Sequence, residues 1–274
     1  MHNQSKIILL SVLLLACCEF SHAQVKDGFV LVKKGQYIIG KKDYPANPLR
    51  KIKVDSFSIA VYETTNQQFE AFVKTSGYIT DAERKHDALV FEPGLKEFEW
   101  IEDSTAYWRY PNGKSRGGIE QRMNHPVTCI SYHDIQAYCT WAGVRLPTLD
   151  EWEIACRAGT TTDYYFGDDD SKIGDYANIW HGRNHLMADN MDGYMYTAPV
   201  GSFKPNAWGL YDMYGNVFEF CSGKVTASES KTVAHARGGS WWCSKNACHY
   251  FNSYDVGRVN IRASFSNQGF RVVK

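Results

Sequence analysis

Apolar residues recur at helical spacing in three segments of the chain, each introduced by a residue that can cap a helix. The candidate N-terminal caps are Thr64 or Thr65, Ser131 and Thr148. The segments that they introduce end at Gly77, Gly143 and Gly159. Glu151 stands three residues after Thr148, which is the spacing of a capping box, where each side chain accepts a hydrogen bond from the other residue's backbone N–H. The pattern therefore predicts three short helices.

A second pattern, in which apolar and polar residues alternate, is typical of strands. Residues 29–32 and 36–40 flank the turn-like residues 33–35, and this arrangement predicts a hairpin. Residues 52–60 alternate as a half-buried strand does. Residues 80–124 have little periodicity and are interpreted as a long surface loop, and only short strands are expected after the third helix. No repeat or linker divides the sequence, so we expect one domain.

The N-terminal residues have the composition of a targeting sequence. A basic residue precedes an apolar run over residues 7–18, and Ser21-His22-Ala23 follows it, a pattern typical of a secretory signal peptide. The run is shorter than the roughly 20 residues of a transmembrane helix. We expect a signal peptide over residues 1–23, a mature domain over residues 24–274 and a periplasmic or secreted location. A lipid anchor on Cys17 is the alternative.

Charge and composition narrow the class of protein further. The chain of 274 residues carries 30 Lys and Arg against 30 Asp and Glu, and a net charge of zero argues against nucleic-acid binding, since proteins that bind nucleic acids are usually basic. The 8 Trp, 17 Tyr, 14 Phe and 22 Gly favour a loop-rich fold with aromatic anchors over a helical bundle. Its 8 cysteines fit an oxidising compartment, in which disulfides persist.

Several short motifs follow one another in a defined order from about residue 29 to the C-terminus. They are Tyr62-Glu63-Thr64-Thr65-Asn66, Gly77-Tyr78-Ile79-Thr80-Asp81-Ala82-Glu83, His125-Pro126-Val127, Ala137-Tyr138-Cys139-Thr140-Trp141-Ala142-Gly143, Arg145-Leu146-Pro147-Thr148, Glu151-Trp152-Glu153, Gly209-Leu210-Tyr211-Asp212, Gly215-Asn216-Val217, Arg237-Gly238-Gly239-Ser240 and Gly269-Phe270-Arg271. Together they resemble the formylglycine-generating enzyme family, also called the sulfatase-modifying factor family. The resemblance implies a single α+β domain with little regular secondary structure, the formylglycine-generating-enzyme-type variant of the C-type lectin fold.

The resemblance assigns the chemistry to Cys243, Cys248 and Ser240. In the family, two cysteines at this spacing bind Cu(I) and form the catalytic pair, and Ser240 matches an active-site serine. Thiolates are soft ligands that select Cu(I) over harder ions. The resemblance implies an oxidase that uses Cu(I) and O₂ to convert a cysteine of a target protein, a sulfatase, into formylglycine. Taken alone, two cysteines so close together in a secreted protein favour a disulfide.

The residues around the pair depart from the family pattern. Ala247 stands where the family carries a Tyr, and Phe218 where it carries a Trp. Residues 249–253 replace an Arg-rich stretch, with Arg258 and Arg262 further along the chain. These departures imply a rebuilt substrate groove, and hence a different peptide or a different substrate.

A non-catalytic binding module of the same fold is the alternative function. It would recognise a protein or a glycan through side chains displayed by the C-terminal loops, namely Trp242, His249, Tyr250, Phe251 and Tyr254. A third function, oxidation of another substrate with a metal held elsewhere, would need a set of His and carboxylate ligands that the sequence does not bring together.

The resemblance also implies two structural calcium sites. The first set of ligands is Asn178, Ile179, Asp192 and Tyr194, and the second is Asp212, Gly215, Val217 and Glu219. In each set the amide and carboxylate side chains would supply oxygens and the other residues backbone carbonyls. Ca²⁺ takes six to eight oxygen ligands, and water can complete the shell. Asx turns or surface acids are the alternative, because Asp and Asn favour loops.

Four further cysteines of the mature chain have no assigned partner, namely Cys129, Cys139, Cys156 and Cys221. The resemblance implies disulfides for Cys139 and Cys156, but the usual partners fall at Ser253 and Val272. The number of cysteines allows many pairings. Buried free thiols and one alternative bridge therefore both stay open.

Overall fold

The computed structural model describes residues 25–187, 192–227 and 232–274. The expected signal peptide and Cys17 lie outside the described residues. The strands are β1 (Val25–Lys26), β2 (Phe29–Val32), β3 (Gly35–Ile39), β4 (Arg50–Val54), β5 (Phe57–Ala60), β6 (Ala88–Val90), β7 (Ile101–Asp103), β8 (Phe218–Ala227), β9 (Thr232–Arg237), β10 (Gly257–Asn260) and β11 (Gln268–Gly269). The α-helices are α1 (Asn66–Ser76), α2 (Asp81–Lys85), α3 (Tyr132–Ala142) and α4 (Leu149–Arg157). Short 3₁₀ helices span Lys114–Arg116 and Asp170–Asp175.

The N-terminal strands form one long, bent hairpin. β2 pairs with β5 and β3 pairs with β4, both antiparallel. The same register continues across the bend, since Val32 lies opposite Phe57 and Gly35 lies opposite Val54. β1 adds a third strand beside β2.

Two of the strand predictions are therefore wrong. Residues 29–32 and 36–40 are successive halves of one arm of the hairpin and do not pair with each other. Residues 52–60 are divided between β4 and β5, and the break at residues 55–56 lies opposite the bend in the other arm. The longer ladder pairs more backbone N–H and C=O groups than a tight turn at residues 33–35 would have done.

The three predicted helices are confirmed together with their caps. Thr65, Ser131 and Thr148 each form a capping box with the third residue of the helix that follows. Gly77 and Gly143 end α1 and α3 in the left-handed conformation, with φ of 68° and 65°. The helix α4 ends one residue earlier than predicted, because Ala158 takes the left-handed position.

The segment interpreted as a long surface loop is partly ordered and partly buried. It contains α2, which begins with a capping box between Thr80 and Glu83, and the antiparallel pair β6–β7. Phe91 and Trp108 from this segment are fully buried. The interpretation was wrong in part, because a few large aromatic residues at irregular spacing supply the burial and give no period.

The C-terminal sheet positions the candidate site. β8, β9 and β10 are antiparallel neighbours, and β11 runs parallel to β8. The loop between β9 and β10 carries Cys243 and Cys248 and packs beside the hydrophobic core, which includes Trp152 of α4 and Phe270. Within the described ranges, no helix has the length and apolar character needed to cross a bilayer.

Candidate functional site

Cys243 and Cys248 are joined by a disulfide in the structure, with an S–S distance of 2.08 Å. The structure therefore describes the oxidised form of the pair. Cys243 is fully buried, whereas Cys248 is partly exposed and lines a cavity. The two sulfurs lie together, and one of the two residues borders accessible space.

Two glycines before the pair allow the chain to approach the core closely. Gly238 and Gly239 have φ of 87° and 73°, in the region that favours glycine. A Cβ at Gly238 would lie 3.2 Å from the Trp152 ring, and one at Gly239 would lie 3.0 Å from the backbone nitrogen of Phe251. The Gly-Gly step is therefore a requirement of the turn that brings the following residues into the site.

The hydroxyl of Ser240 lies beside the disulfide. Its Oγ accepts hydrogen bonds from Asn267 Nδ2 at 3.0 Å and from the backbone N–H of Trp242 at 3.3 Å. Its remaining neighbour is Cys243 Sγ at 3.8 Å. Since two donors already occupy the oxygen, the hydroxyl is free to donate to the sulfur. The family-derived assignment of Ser240 next to the cysteine pair thus has a geometric basis.

A cavity of about 340 Å³ opens beside Cys248, within the size range of small-ligand sites. The residues that line it are Phe98, Trp100, Phe218, Trp242, Cys248, Tyr250, Val256, Gly257, Arg258, Val259, Phe265, Asn267 and Gln268. Six of them are aromatic, and Arg258 is the one charged residue among these lining positions. The cavity is an aromatic groove with a cation at one wall.

The aromatic residues predicted for display by a binding module differ widely in exposure. His249 and Tyr250 are exposed, and Tyr254 is half-buried. Trp242 and Phe251 are buried, with 2% and 3% of their surface exposed, and the prediction that they are displayed is wrong. Trp242 packs inward against other aromatic rings, and Phe251 packs against the core beside Gly239.

His185 was not singled out as a site residue, yet it holds the wall of the groove. Its ring stacks on Trp242 with centroids 4.0 Å apart, and Nε2 lies 2.6 Å from the Trp242 carbonyl oxygen. Nδ1 contacts the carboxylate of Glu97. Each ring nitrogen of His185 thus faces an oxygen atom that can accept a hydrogen bond. His185 and Glu97 are 88 residues apart, so no local pattern in the sequence could pair them.

The first predicted calcium set contains an unpaired buried oxygen. Asp192 Oδ1 accepts from the Tyr194 backbone N–H at 3.0 Å, which is the Asx turn named as the alternative. Asp192 Oδ2 is buried with no hydrogen-bond partner among the described residues and lies 3.4 Å from His181 Nε2. Asn178 uses its amide nitrogen to bind the Tyr196 carbonyl, which leaves its side-chain oxygen available. These donors fit a cation.

The second predicted set is part of a buried acidic cluster. Asp212 Oδ2 accepts from the Gly201 N–H at 2.6 Å, while Oδ1 is buried without a partner among the described residues. Glu219 is held by Arg271 at 2.7 Å and by Trp152 Nε1 at 2.6 Å. A third acid, Glu63, was not predicted from the sequence; its Oε2 is also buried and unpartnered in the described structure.

The electrostatics of this cluster favour a bound positive charge. Burial and the neighbouring carboxylate of Asp212 raise the pKa of Glu63 well above its ordinary value. Burial raises the pKa of Asp212 to about 6. One guanidinium, that of Arg271, faces three carboxylates. The unpaired oxygens of Glu63 and Asp212 could each ligate Ca²⁺, but no group of three or more His, Cys, Asp or Glu in the described ranges is placed to hold a metal ion, so carbonyls or water would have to supply the other ligands.

The other four cysteines are buried free thiols in the structure, namely Cys129, Cys139, Cys156 and Cys221. Burial raises the pKa of Cys139 and of Cys156 to about 12. Cys156 Sγ lies 3.9 Å from Ser253 Oγ, so a residue that cannot form a disulfide stands beside it. Of the two readings left open for these cysteines, the structure has the free thiols, which are unreactive because the thiolate is suppressed.

A comparison with protein families agrees with the motifs and with the fold. Residues 18–274 match the model of the sulfatase-modifying factor enzyme 1-like domain. The chain belongs to this family, and its fold is the C-type lectin-like fold of formylglycine-generating enzymes, in one domain with little regular secondary structure.

Some relatives are named as formylglycine-generating enzymes, and others are named as inactive. The chain is 37% identical over 251 residues to the formylglycine-generating enzyme of Mus musculus, covering 82% of this chain and 67% of that protein. It is 35% identical over 290 residues to the formylglycine-generating enzyme of Thermomonospora curvata, covering 92% and 94%. It is also 33% identical over 208 residues to the inactive C-alpha-formylglycine-generating enzyme 2 of Bos taurus, covering 71% and 68%.

Solved structures agree on the fold. PvdO from Pseudomonas aeruginosa superposes with a TM-score of 0.66 at 24% identity, covering 89% of this chain and 93% of that one. Treponema denticola variable protein 1 superposes with a TM-score of 0.61 at 18% identity, covering 89% and 94%. At these identities the likeness concerns architecture alone.

Proposed function

We propose that the protein is a formylglycine-generating-type oxidase that converts a cysteine of a target protein, a sulfatase, into formylglycine, with O₂ as oxidant and Cu(I) as cofactor. One observation carries the proposal: Cys248, bonded to the buried Cys243, borders an aromatic cavity large enough for a peptide side chain. Relatives named formylglycine-generating enzyme support the activity, and a relative named inactive makes a direct test necessary.

The cysteine pair must be reduced before it can bind a metal, because sulfurs joined to each other are not thiolate ligands. Cys243 and Cys248 are the residues that would then hold copper, since soft sulfur donors select Cu(I). When bound, copper would supply one-electron chemistry between the substrate sulfur and O₂. Ser240 would donate its hydroxyl hydrogen to the Cys243 thiolate and stabilise the negative charge there.

The overall change sets what the groove has to do. A substrate cysteine and one water become formylglycine and hydrogen sulfide, and the two electrons and two protons that are removed pass to O₂, which becomes hydrogen peroxide. The substrate cysteine must therefore reach Cys248 together with that one water, while the rest of the solvent stays out of the groove. The aromatic walls formed by Trp100, Phe218 and Trp242 would provide that exclusion and hold the flanking residues in place.

The test begins with anaerobic Cu(I) titration of the reduced protein. We expect one copper per chain, loss of tight binding in Cys243→Ser and Cys248→Ser, and unchanged binding in Cys139→Ser, whose thiol is buried elsewhere. Incubation of the copper-loaded protein with O₂ and sulfatase-derived cysteine peptides should then give an aldehyde detected by mass spectrometry. A Cys243→Ser variant that binds Cu(I) as tightly as the wild type would refute the site.

The expected calcium ions would be structural in this proposal. They would pin the loops that carry Asp192 and Asp212, which have few ladder hydrogen bonds of their own. The periplasmic or secreted location expected from residues 1–23 belongs to the same proposal, because sulfur oxidation of a target protein and a disulfide both suit an oxidising compartment.

The intact disulfide favours a second candidate, a binding module without catalysis. In that case the bond would be structural and would survive a mild thiol reductant under native conditions. Alkylation of the native protein after such treatment distinguishes the two: labelling of Cys248 supports the oxidase, and an unlabelled pair supports the binding module.

A further inference from the structure

The groove beside Cys248 is lined by a single charged residue, which is positive. Arg258 lies on β10 with its side chain exposed, and no carboxylate is among the lining residues. The described residues give Arg258 no ion pair, and its cross-strand neighbour on β9 is His235, which is not an anion at any pH. A ligand that enters this groove meets aromatic surface and one cation.

Three buried polar atoms on the groove residues have no hydrogen-bond partner within the described structure. They are Trp242 Nε1, Asn267 Oδ1 and Gln268 Oε1. Their residues are 2%, 4% and 6% exposed. Leaving such groups unpaired is costly, and each atom is itself sealed from solvent, so a ligand that enters the groove deeply enough to reach them would be favoured. One donor and two acceptors match a polypeptide backbone, which offers both C=O and N–H groups along its length.

We propose that this groove selects target polypeptides in which a large apolar or aromatic residue and an acidic residue lie close to the reacting cysteine, and that it disfavours a basic residue there. The aromatic walls, Phe98, Trp100 and Phe218, take the apolar side chain, and Arg258 takes the carboxylate. The inference rests on the proposed function and names the class of sequence that the same site accepts.

The experiment uses the full chain and short peptides in which serine replaces the reacting cysteine, so that binding is measured without turnover. One series carries Phe beside the serine and Asp at each nearby position in turn. Matched series replace Asp with Lys or Phe with Gly. Affinity is measured by fluorescence anisotropy of labelled peptides.

Among the peptides that carry both Phe and Asp, we expect the tightest binder to bind at least about tenfold more tightly than the matching peptide with Gly in place of Phe. A buried aromatic side chain contributes most of the free energy of binding. We expect the Lys counterpart to bind about three- to fivefold more weakly, the range of a partly exposed charge pair. Arg258→Glu should reverse the Asp over Lys preference. Arg262→Glu, an exposed arginine outside the groove, should leave it unchanged.

Three results would overturn the inference: equal affinity for all peptides, a preference for Lys over Asp, or binding of oligosaccharides with no binding of peptides. Trp242→Phe provides a second variant, since it keeps the aromatic wall and removes the indole N–H; it should weaken every peptide in the series. Circular dichroism of each variant confirms folding.

The design separates this inference from the proposed function. Selective binding of serine peptides, with no aldehyde formed from the matching cysteine peptide, supports the specificity and removes the oxidase. Aldehyde formed at equal rates from the Asp, Lys and Gly peptides supports the oxidase and overturns the specificity.

Discussion

The protein buries two clusters of carboxylates and arginines, and they are balanced in opposite ways. Around Glu153 of α4, one carboxylate lies between Arg157 and Arg237, each 2.9 Å away. Around Glu219 of β8, three carboxylates share Arg271. The first cluster has an excess of positive charge and the second an excess of negative charge.

The two clusters respond to burial differently. Burial works to raise the pKa of Glu153, but Arg237, Asn47 and the Gly40 N–H outweigh it and hold that pKa below its ordinary value. In the other cluster, burial prevails and raises the pKa of Asp212. The comparison teaches that the carboxylate of the first cluster finds its counter-charges within the chain, whereas the second cluster needs a proton or a cation from outside.

The largest expected effect comes from breaking the first cluster. Glu153→Gln leaves two buried guanidinium groups without their carboxylate, and breaking a buried ion pair from one side costs about 3–5 kcal/mol. Urea denaturation should show a free energy of unfolding lower by that amount. A change below about 1 kcal/mol would show that the arginines find other partners and that the cluster is not a unit.

The second cluster should make stability depend on pH in metal-free protein. A folded-state pKa of about 6 for Asp212, raised from 3.8, stabilises the fold fully below pH 3.8, and this contribution is lost as pH rises through about 6. At one pKa unit per 1.36 kcal/mol, about 3 kcal/mol is lost, and the raised pKa of Glu63 acts in the same direction. Thermal unfolding between about pH 4 and pH 8 in chelator covers most of this effect.

Calcium should remove that loss, because the ion takes the place of the protons. We expect added Ca²⁺ to raise the unfolding temperature more at pH 8 than at pH 5, and Mg²⁺ at equal concentration to do less. An unfolding temperature that is independent of Ca²⁺ at pH 8 would contradict a site at Asp212.

Asp212→Asn should act in the direction opposite to Glu153→Gln. The amide removes one of the crowded negative charges and can still accept the hydrogen bond from Gly201. In chelator at pH 8 we expect the free energy of unfolding to rise by about 1–3 kcal/mol, and the response to Ca²⁺ to disappear. Destabilisation at pH 8 in chelator would show that the negative charge is needed without a metal.

The smallest effect is expected at the surface. Asp150 lies 2.5 Å from Arg50, with both side chains more than a third exposed. Exposed ion pairs contribute about 0–1 kcal/mol. Asp150→Asn, on the same helix as Glu153, should therefore change the free energy of unfolding by no more than about 1 kcal/mol. It serves as the matched control for Glu153→Gln, and an equal loss in both variants would place the effect in the helix instead of the cluster.

Local features of the fold were predictable from sequence, because each depends on residues a few positions apart. The caps at Thr65, Ser131 and Thr148 are of this kind. The capping box at Thr80 had the same signal and was missed because the surrounding residues lack helical periodicity. The predicted strand pairing was wrong, because it joined β2 to the next strand in the sequence, whereas the partner of β2 in the structure is β5.

The candidate site likewise combines features that could be predicted from the sequence with features that could not. The cysteine pair follows the motif that ends at Ser240, and the structure puts the serine hydroxyl beside Cys243. The contact of His185 with Glu97 and the meeting of Glu63 with Asp212 join residues far apart in the chain. Such contacts depend on tertiary packing and leave no pattern of spacing in the sequence.

The burial of four thiols gives the molecule a simple chemical signature. An alkylating reagent added to native, unreduced protein meets Cys129, Cys139, Cys156 and Cys221 only as suppressed, inaccessible groups. After mild reduction, the alkylating reagent would add mass to the described cysteines of the folded protein only at the Cys243–Cys248 pair beside the groove. Among the described cysteines, the disulfide beside the groove is thus separate from the buried thiols, and its redox state can be followed by the mass of the alkylated protein.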